Sequence, residues 1–294
     1  MRRPFGFFIP IAGLCLHLML LGIAVCIGGC SRFDILNSTI PACGYLRTSN
    51  LPYGKLARQK LDIYVPRRVI KPAKVVVFFY GGDWQTGEKE NYRFTAEALT
   101  SEGYIAVLPN YRVYPEVRFP AFVQDAAMAV RWVHDNIEHF GGNGCQIYLM
   151  GHSAGAHIVA LLTFDAHYLT DAGVPAGSIR ASAGLAGPYD FVLTHDDANV
   201  FLVNRGESFP QMEPIHFARF GAPPMLFLQG LQDGIVEPGN ANRMAAQIKK
   251  AGGKATSIGY PQMGHAELAL ALAWPFRWLA PVLRDTATFF RENP

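Results

Sequence analysis

The pentapeptide Gly151-His152-Ser153-Ala154-Gly155 stands between two segments of different periodicity, and that junction constrains the fold more than any other feature of the chain. The run before it, 146–150, is short, apolar and β-rich; the run after it, 154–164, opens a helical pattern. Gly-x-Ser-x-Gly at a strand-to-helix turn holds the serine hydroxyl at the edge of a sheet, above a helix N-terminus. Glycines on either side leave room for neighbouring backbone. The same alternation extends in both directions. Strands are expected at 60–65, 74–80, 105–109, 146–150, 182–186, 225–229 and 256–260, and helices at 122–140, 154–164, 240–251 and 282–291. Val75-Val76-Val77-Phe78-Phe79 is continuously apolar, as a central strand covered on both faces must be. Helices alternating with buried strands predict an α/β domain whose mostly parallel central sheet is flanked by helices. The segment 188–224 fits the alternation poorly and reads either as a short lid over a pocket or as a surface excursion.

The first thirty residues are of another kind. Arg2 and Arg3 precede 25 uncharged residues, 5–29, which end in Ile27-Gly28-Gly29-Cys30. A basic start, an apolar run and small residues before a cleavage point describe an export signal. The stretch resembles a bacterial lipoprotein signal, whose cysteine is acylated and becomes the new N-terminus; an uncleaved membrane anchor is the alternative. Residues 1–29 are accordingly expected to be a signal peptide, 30–50 a tether and 51–294 the catalytic domain, with Cys30 as the lipidation site. Either reading holds the domain on a membrane outside the cytoplasm, and the lipoprotein reading puts it on a periplasmic face. With Arg2 and Arg3 set aside, the 26 basic residues fall to 24 against 23 acidic ones, and no Lys/Arg run is present, so a nucleic-acid partner is not expected. Cys43 and Cys145 read equally as a disulfide or as two buried thiols, and the chain has no Cys-x-x-Cys pair to suggest a thiolate metal site.

A serine hydroxyl becomes a useful nucleophile only when a base takes its proton and a third group orients that base. At strand-to-helix serines of this type, the acid and then the histidine follow in chain order. Asp233 lies just past the 225–229 strand and His265 just past the 256–260 strand, which is that order. Asp190 and Glu237 are weaker candidates for the acid; His152 and His157 are weaker candidates for the base. Acyl transfer also requires donors for the developing oxyanion. The Ala154 amide, directly after the nucleophile, is one. Gly82 and Asp83, in the loop Tyr80-Gly81-Gly82-Asp83-Trp84 after the 74–80 strand, supply the others, with Gly81 shaping the turn.

These motifs resemble those of hormone-sensitive-lipase-like carboxylesterases and their relatives, the bacterial feruloyl and acetyl esterases and the isoprenylcysteine methylesterases. The resemblance rests on Tyr80-Gly81-Gly82-Asp83-Trp84 with Gly87, on Asn110-Tyr111-Arg112-Val113-Tyr114-Pro115 with Phe119, Pro120 and Asp125, on Gly151 to Gly155, and on Asp233 with His265. It implies the α/β-hydrolase fold and hydrolysis of a small-molecule carboxylic ester through Ser153, His265 and Asp233, without metal or organic cofactor. It also implies that the second of these stretches, Asn110 to Pro115 with Asp125, braces the sheet and the catalytic loops without itself being catalytic. Tyr80 stands where the family carries His, and Asp83 where it carries a third Gly. Gly-Gly-x-Trp also resembles the arylformamidases, so an amidase is the alternative chemistry. A membrane-tethered binding module with a degenerate site is the alternative of another class.

Overall fold

The computed structural model describes residues 32–68, 70–190 and 209–294. The export signal, Cys30 and the 191–208 part of the suspected lid lie outside these residues. Among the described residues, eight strands form one sheet: β1 (Tyr45–Pro52), β2 (Lys60–Pro66), β3 (Ala73–Phe79), β4 (Ile105–Pro109), β5 (Gly142–His152), β6 (Ile179–Leu185), β7 (Met225–Gly230) and β8 (Ala255–Tyr260). Their order is β1-β2-β4-β3-β5-β6-β7-β8. β2 runs antiparallel to both neighbours, and every pairing from β4 across to β8 is parallel. The helices are α1 (Arg32–Ser38), α2 (Arg93–Ser101), α3 (Ala121–Asn136), α4 (Ala154–Phe164), α5 (Ala166–Asp171), α6 (Gly239–Lys250), α7 (His265–Leu270) and α8 (Val282–Glu292). This is the α/β-hydrolase arrangement that the alternation and the resemblance predicted.

Burial explains why the central strands were readable. Val75 to Phe79 are each at most 1% exposed, so β3 is covered on both faces. Each such side chain gains about 1.5–3 kcal/mol from leaving water. α4 is buried along its whole length, packed on β5 and β6 and against α3 and α5. The Ser153 turn is therefore clamped between a central strand and a central helix.

The expectation of a tether over 30–50 is corrected by the structure. From Arg32 onward the chain is part of the domain: α1 packs against α2, and β1 pairs with β2 from Tyr45↔Pro66 to Pro52↔Lys60. β1 is an edge strand with mostly exposed side chains, so its polar sequence carries no alternating signature. It is fastened by charge instead. Asp62 of β2 is fully buried, accepts from Arg47 at 2.6 Å and from the Asn50 amide at 2.8 Å, and lies 3.0 Å from the buried Lys89 ammonium. The cysteine reading is corrected too: Cys43 and Cys145 are unpaired and exposed.

Candidate active site

Ser153 sits at the end of β5 with φ 53° and ψ −121°, a conformation that costs a non-glycine residue about 1–3 kcal/mol. The flanking glycines make the turn possible. A Cβ on Gly155 would lie 2.1 Å from the Phe79 carbonyl oxygen, and one on Gly151 would lie 2.4 Å from the Gly155 carbonyl. The Ser153 amide donates to Leu185 at 2.8 Å, tying the turn to β6. Its side chain faces His265, whose Nε2 is 2.9 Å from Ser153 Oγ.

His265 opens α7, directly after the β8 loop, and its Nδ1 is 2.8 Å from Asp233 Oδ2. Asp233 projects from the loop after β7 with a fully buried carboxylate. Oδ1 accepts from the amides of Ile235 and Val236, both at 2.9 Å, and Oδ2 also accepts from Gln229 Nε2 at 3.0 Å. Four hydrogen bonds thus hold the carboxylate in place and aim it at His265. Because the carboxylate accepts at Nδ1, that nitrogen carries the proton, leaving Nε2 bare to accept from the Ser153 hydroxyl. The three expected residues form one continuous chain of hydrogen bonds.

The weaker candidates are engaged elsewhere. Asp190 pairs with Arg243, and Glu237 accepts from Arg243 at 2.7 Å and from the Gly239 amide at 2.8 Å. His157 is buried in α4, 2.6 Å from the Met212 carbonyl and edge-on to Trp84. His152 points away from Ser153 toward Tyr92 and the His265 backbone. Burial drives both imidazoles down to about 4. They fold as neutral bases, whereas in the unfolded chain they take up protons near the ordinary value of 6.5. Between pH 6.5 and 4 the unfolded state therefore binds more protons, and stability falls as pH falls, by about 3 kcal/mol per histidine. Urea unfolding across that window should show the decline; a flat profile would contradict it.

The loop after β3, from which oxyanion donors are expected, is built from left-handed backbone. Gly82, Asp83 and Trp84 have φ of 141°, 54° and 54°. The Gly82 carbonyl accepts from the amides of Gln85 (3.0 Å) and Thr86 (2.9 Å), whereas the amides of Gly82, Asp83 and Ala154 donate to no described backbone carbonyl. Gly81 approaches Ser153 so closely that a Cβ there would lie 3.0 Å from Ser153 Cβ. Tyr80 answers the absent histidine: its hydroxyl accepts from Arg58 at 2.8 Å and its ring stacks on Tyr111 at 4.5 Å. Tyr111 in turn donates to the Tyr80 carbonyl at 2.7 Å, and the Tyr114 amide donates to Trp84 at 2.8 Å. Arg112 grips Asp125 with two bonds of 2.8 Å, and Gln59 binds the same carboxylate at 2.8 Å. The bracing expected of Asn110 to Pro115 and Asp125 is thus present, while Arg58, Tyr92 and Gln229 are contributors that no motif announced.

The BD-FAE family model matches residues 61–248. A probable isoprenylcysteine alpha-carbonyl methylesterase of Oryza sativa subsp. japonica is 29% identical over 238 residues, which cover 74% of this chain and 58% of that protein. The esterase LipQ of Mycobacterium tuberculosis is 29% identical over 249 residues, 77% of this chain and 58% of LipQ. The chain thus spans a little over half the length of these curated relatives. Among solved structures, a truncated carbohydrate esterase from gut microbiota superposes with a TM-score of 0.73 at 22% identity, over 86% of this chain and 98% of that one. At that identity the likeness supports the fold.

Proposed function

The chain belongs to the BD-FAE family, and from that premise we propose that it hydrolyses small-molecule carboxylic esters through Ser153, His265 and Asp233. The observation that carries this reading is the chain of hydrogen bonds from Ser153 through His265 to Asp233, 2.9 and 2.8 Å, with the serine held in a strained turn. Ser153 Oγ attacks the acyl carbonyl as His265 Nε2 takes its proton. The amides of Gly82, Asp83 and Ala154 receive the oxyanion. The tetrahedral species collapses to a Ser153 acyl-enzyme while the imidazolium returns its proton to the departing alcohol. Water then attacks the acyl carbon, giving its proton to His265, and the carboxylic acid leaves as Ser153 recovers its hydrogen. The nucleophile, the base, the orienting carboxylate and the oxyanion donors in these steps all come from the chain.

The test is hydrolysis of a short p-nitrophenyl ester together with labelling by a fluorophosphonate. The expected adduct maps to Ser153, and ester turnover exceeds turnover of an aryl formamide. A protein that is not labelled acts as a binding module, and one that prefers the formamide is an amidase. We further propose, on the sequence pattern alone, that residues 1–29 direct export and that Cys30 carries the lipid that holds the domain on a membrane. Intact-mass spectrometry of membrane-extracted protein should find a lipid-modified chain beginning at Cys30; a chain beginning at Met1 overturns this.

A further inference from the structure

His152 has no part in the proton transfers above, yet it is buried between three elements of the site. Its Nε2 lies 3.1 Å from the carbonyl oxygen of His265, and its Nδ1 lies 3.1 Å from the Tyr92 hydroxyl. A carbonyl only accepts, so Nε2 carries the proton and Nδ1 accepts from Tyr92. Gly81 packs against the same ring: a Cβ there would lie 3.0 Å from His152 Nδ1. The hydrogen bonds therefore run one way, from Tyr92 through His152 to the backbone of His265, with Gly81 packed against the imidazole.

We propose that His152 and Tyr92 form a positioning crosslink that sets the oxyanion loop and the general base relative to Ser153. The proposal rests on the ester-hydrolase reading of the site. Its logic is mechanical. Gly81 precedes the oxyanion amides, His152 precedes the nucleophile, and His265 is the first residue of α7. Close packing fixes the joints: a Cβ on Gly81 would lie 3.0 Å from His152 Nδ1, and the Tyr92 ring is packed among Phe78, Phe94 and Tyr80 at 5.4 to 6.2 Å. Burial, with His265 adding to it, keeps His152 neutral down to about 4, so its single tautomer persists across the neutral range. A displacement of about 1 Å in such a site costs on the order of 100-fold in rate, which is the scale on which a positioning residue is felt.

The test compares His152→Phe, His152→Gln and Tyr92→Phe with the parent protein. His152→Phe should lower kcat by about 10- to 100-fold with KM changed by less than about 3-fold, since the substrate is still bound and only the reacting groups are misplaced. His152→Gln places an amide donor where Nε2 stood and should recover most of the loss. Tyr92→Phe keeps the ring packing, deletes the hydroxyl, and should lower kcat several-fold. Combined with His152→Phe it should add little, because both changes cut one chain. Proton NMR supplies a readout independent of turnover: the low-field Nδ1–H resonance of His265, assigned by its loss in Asp233→Asn, should shift in His152→Phe and Tyr92→Phe. Should His152→Phe not fold, His152→Gln and Tyr92→Phe carry the test. Parental kcat and an unmoved resonance in Tyr92→Phe and His152→Phe overturn the crosslink, as does a His152→Gln protein no better than His152→Phe, which would signify packing alone. A parent protein that hydrolyses no ester defeats the function reading instead, while the resonance still judges the crosslink.

Discussion

Ser153→Ala lowers kcat for a short p-nitrophenyl ester by on the order of 10⁵-fold and abolishes fluorophosphonate labelling, while the urea midpoint stays close to that of the parent. The substitution removes one oxygen whose side-chain hydrogen bond goes to His265 Nε2, and leaves the Ser153 amide on Leu185 and the carbonyl beneath the His157 amide in place. The turn is held by the glycines and by β6, so the fold does not depend on the hydroxyl. What survives is the small acceleration that oriented amides give a bound ester. More than a few per cent of parental turnover would mean that another group attacks the ester.

Asp233→Asn should lower kcat by on the order of 10⁴-fold, and the hydrogen bonds around it say why. Oδ1 accepts from two backbone amides, Ile235 and Val236, which only an oxygen can satisfy. The asparagine carbonyl must therefore take that side, and its NH₂ faces His265 Nδ1 and the Gln229 amide. A donor opposite Nδ1 forces the imidazole proton onto Nε2, and the Ser153 hydroxyl then has no base. The NH₂ also meets the Gln229 donor at a position where the parent has a 3.0 Å hydrogen bond, so some stability is lost as well. The loss should fall on kcat, with KM little changed. Parental kcat in Asp233→Asn would show that Asp190 or Glu237 orients the base, although Arg243 engages both.

How legible these parts were depended on how much physics each carried in neighbouring residues. The central strands announced themselves because two-sided burial demands unbroken apolar runs, and Val75 to Phe79 supply one. Ser153, Asp233 and His265 were readable because each lies just beyond the end of a strand, in an order fixed by topology. β1 was not, because an edge strand with polar side chains is held by its ladder and by the distant partners Asp62 and Lys89. His152 stands beside Ser153 in the sequence, but its partners are Tyr92, 60 residues earlier, and His265, 113 residues later. Arg58 beneath Tyr80 is hidden in the same way: it compensates a family departure from 22 residues upstream. Local pattern reveals what a strand or turn needs, and not which remote side chain completes it.

β5 also has a practical use. It runs from Gly142 to His152, with the exposed thiol of Cys145 near its start and Ser153 just past its end. Eight residue steps of extended chain separate the two, about 26 Å at the strand rise. With Cys43 replaced by serine, a spin label or dye on Cys145 and a tagged phosphonate on Ser153 would mark the two ends of one rigid molecular ruler. Motion of any surrounding loop could then be read against a length that the sheet itself keeps constant.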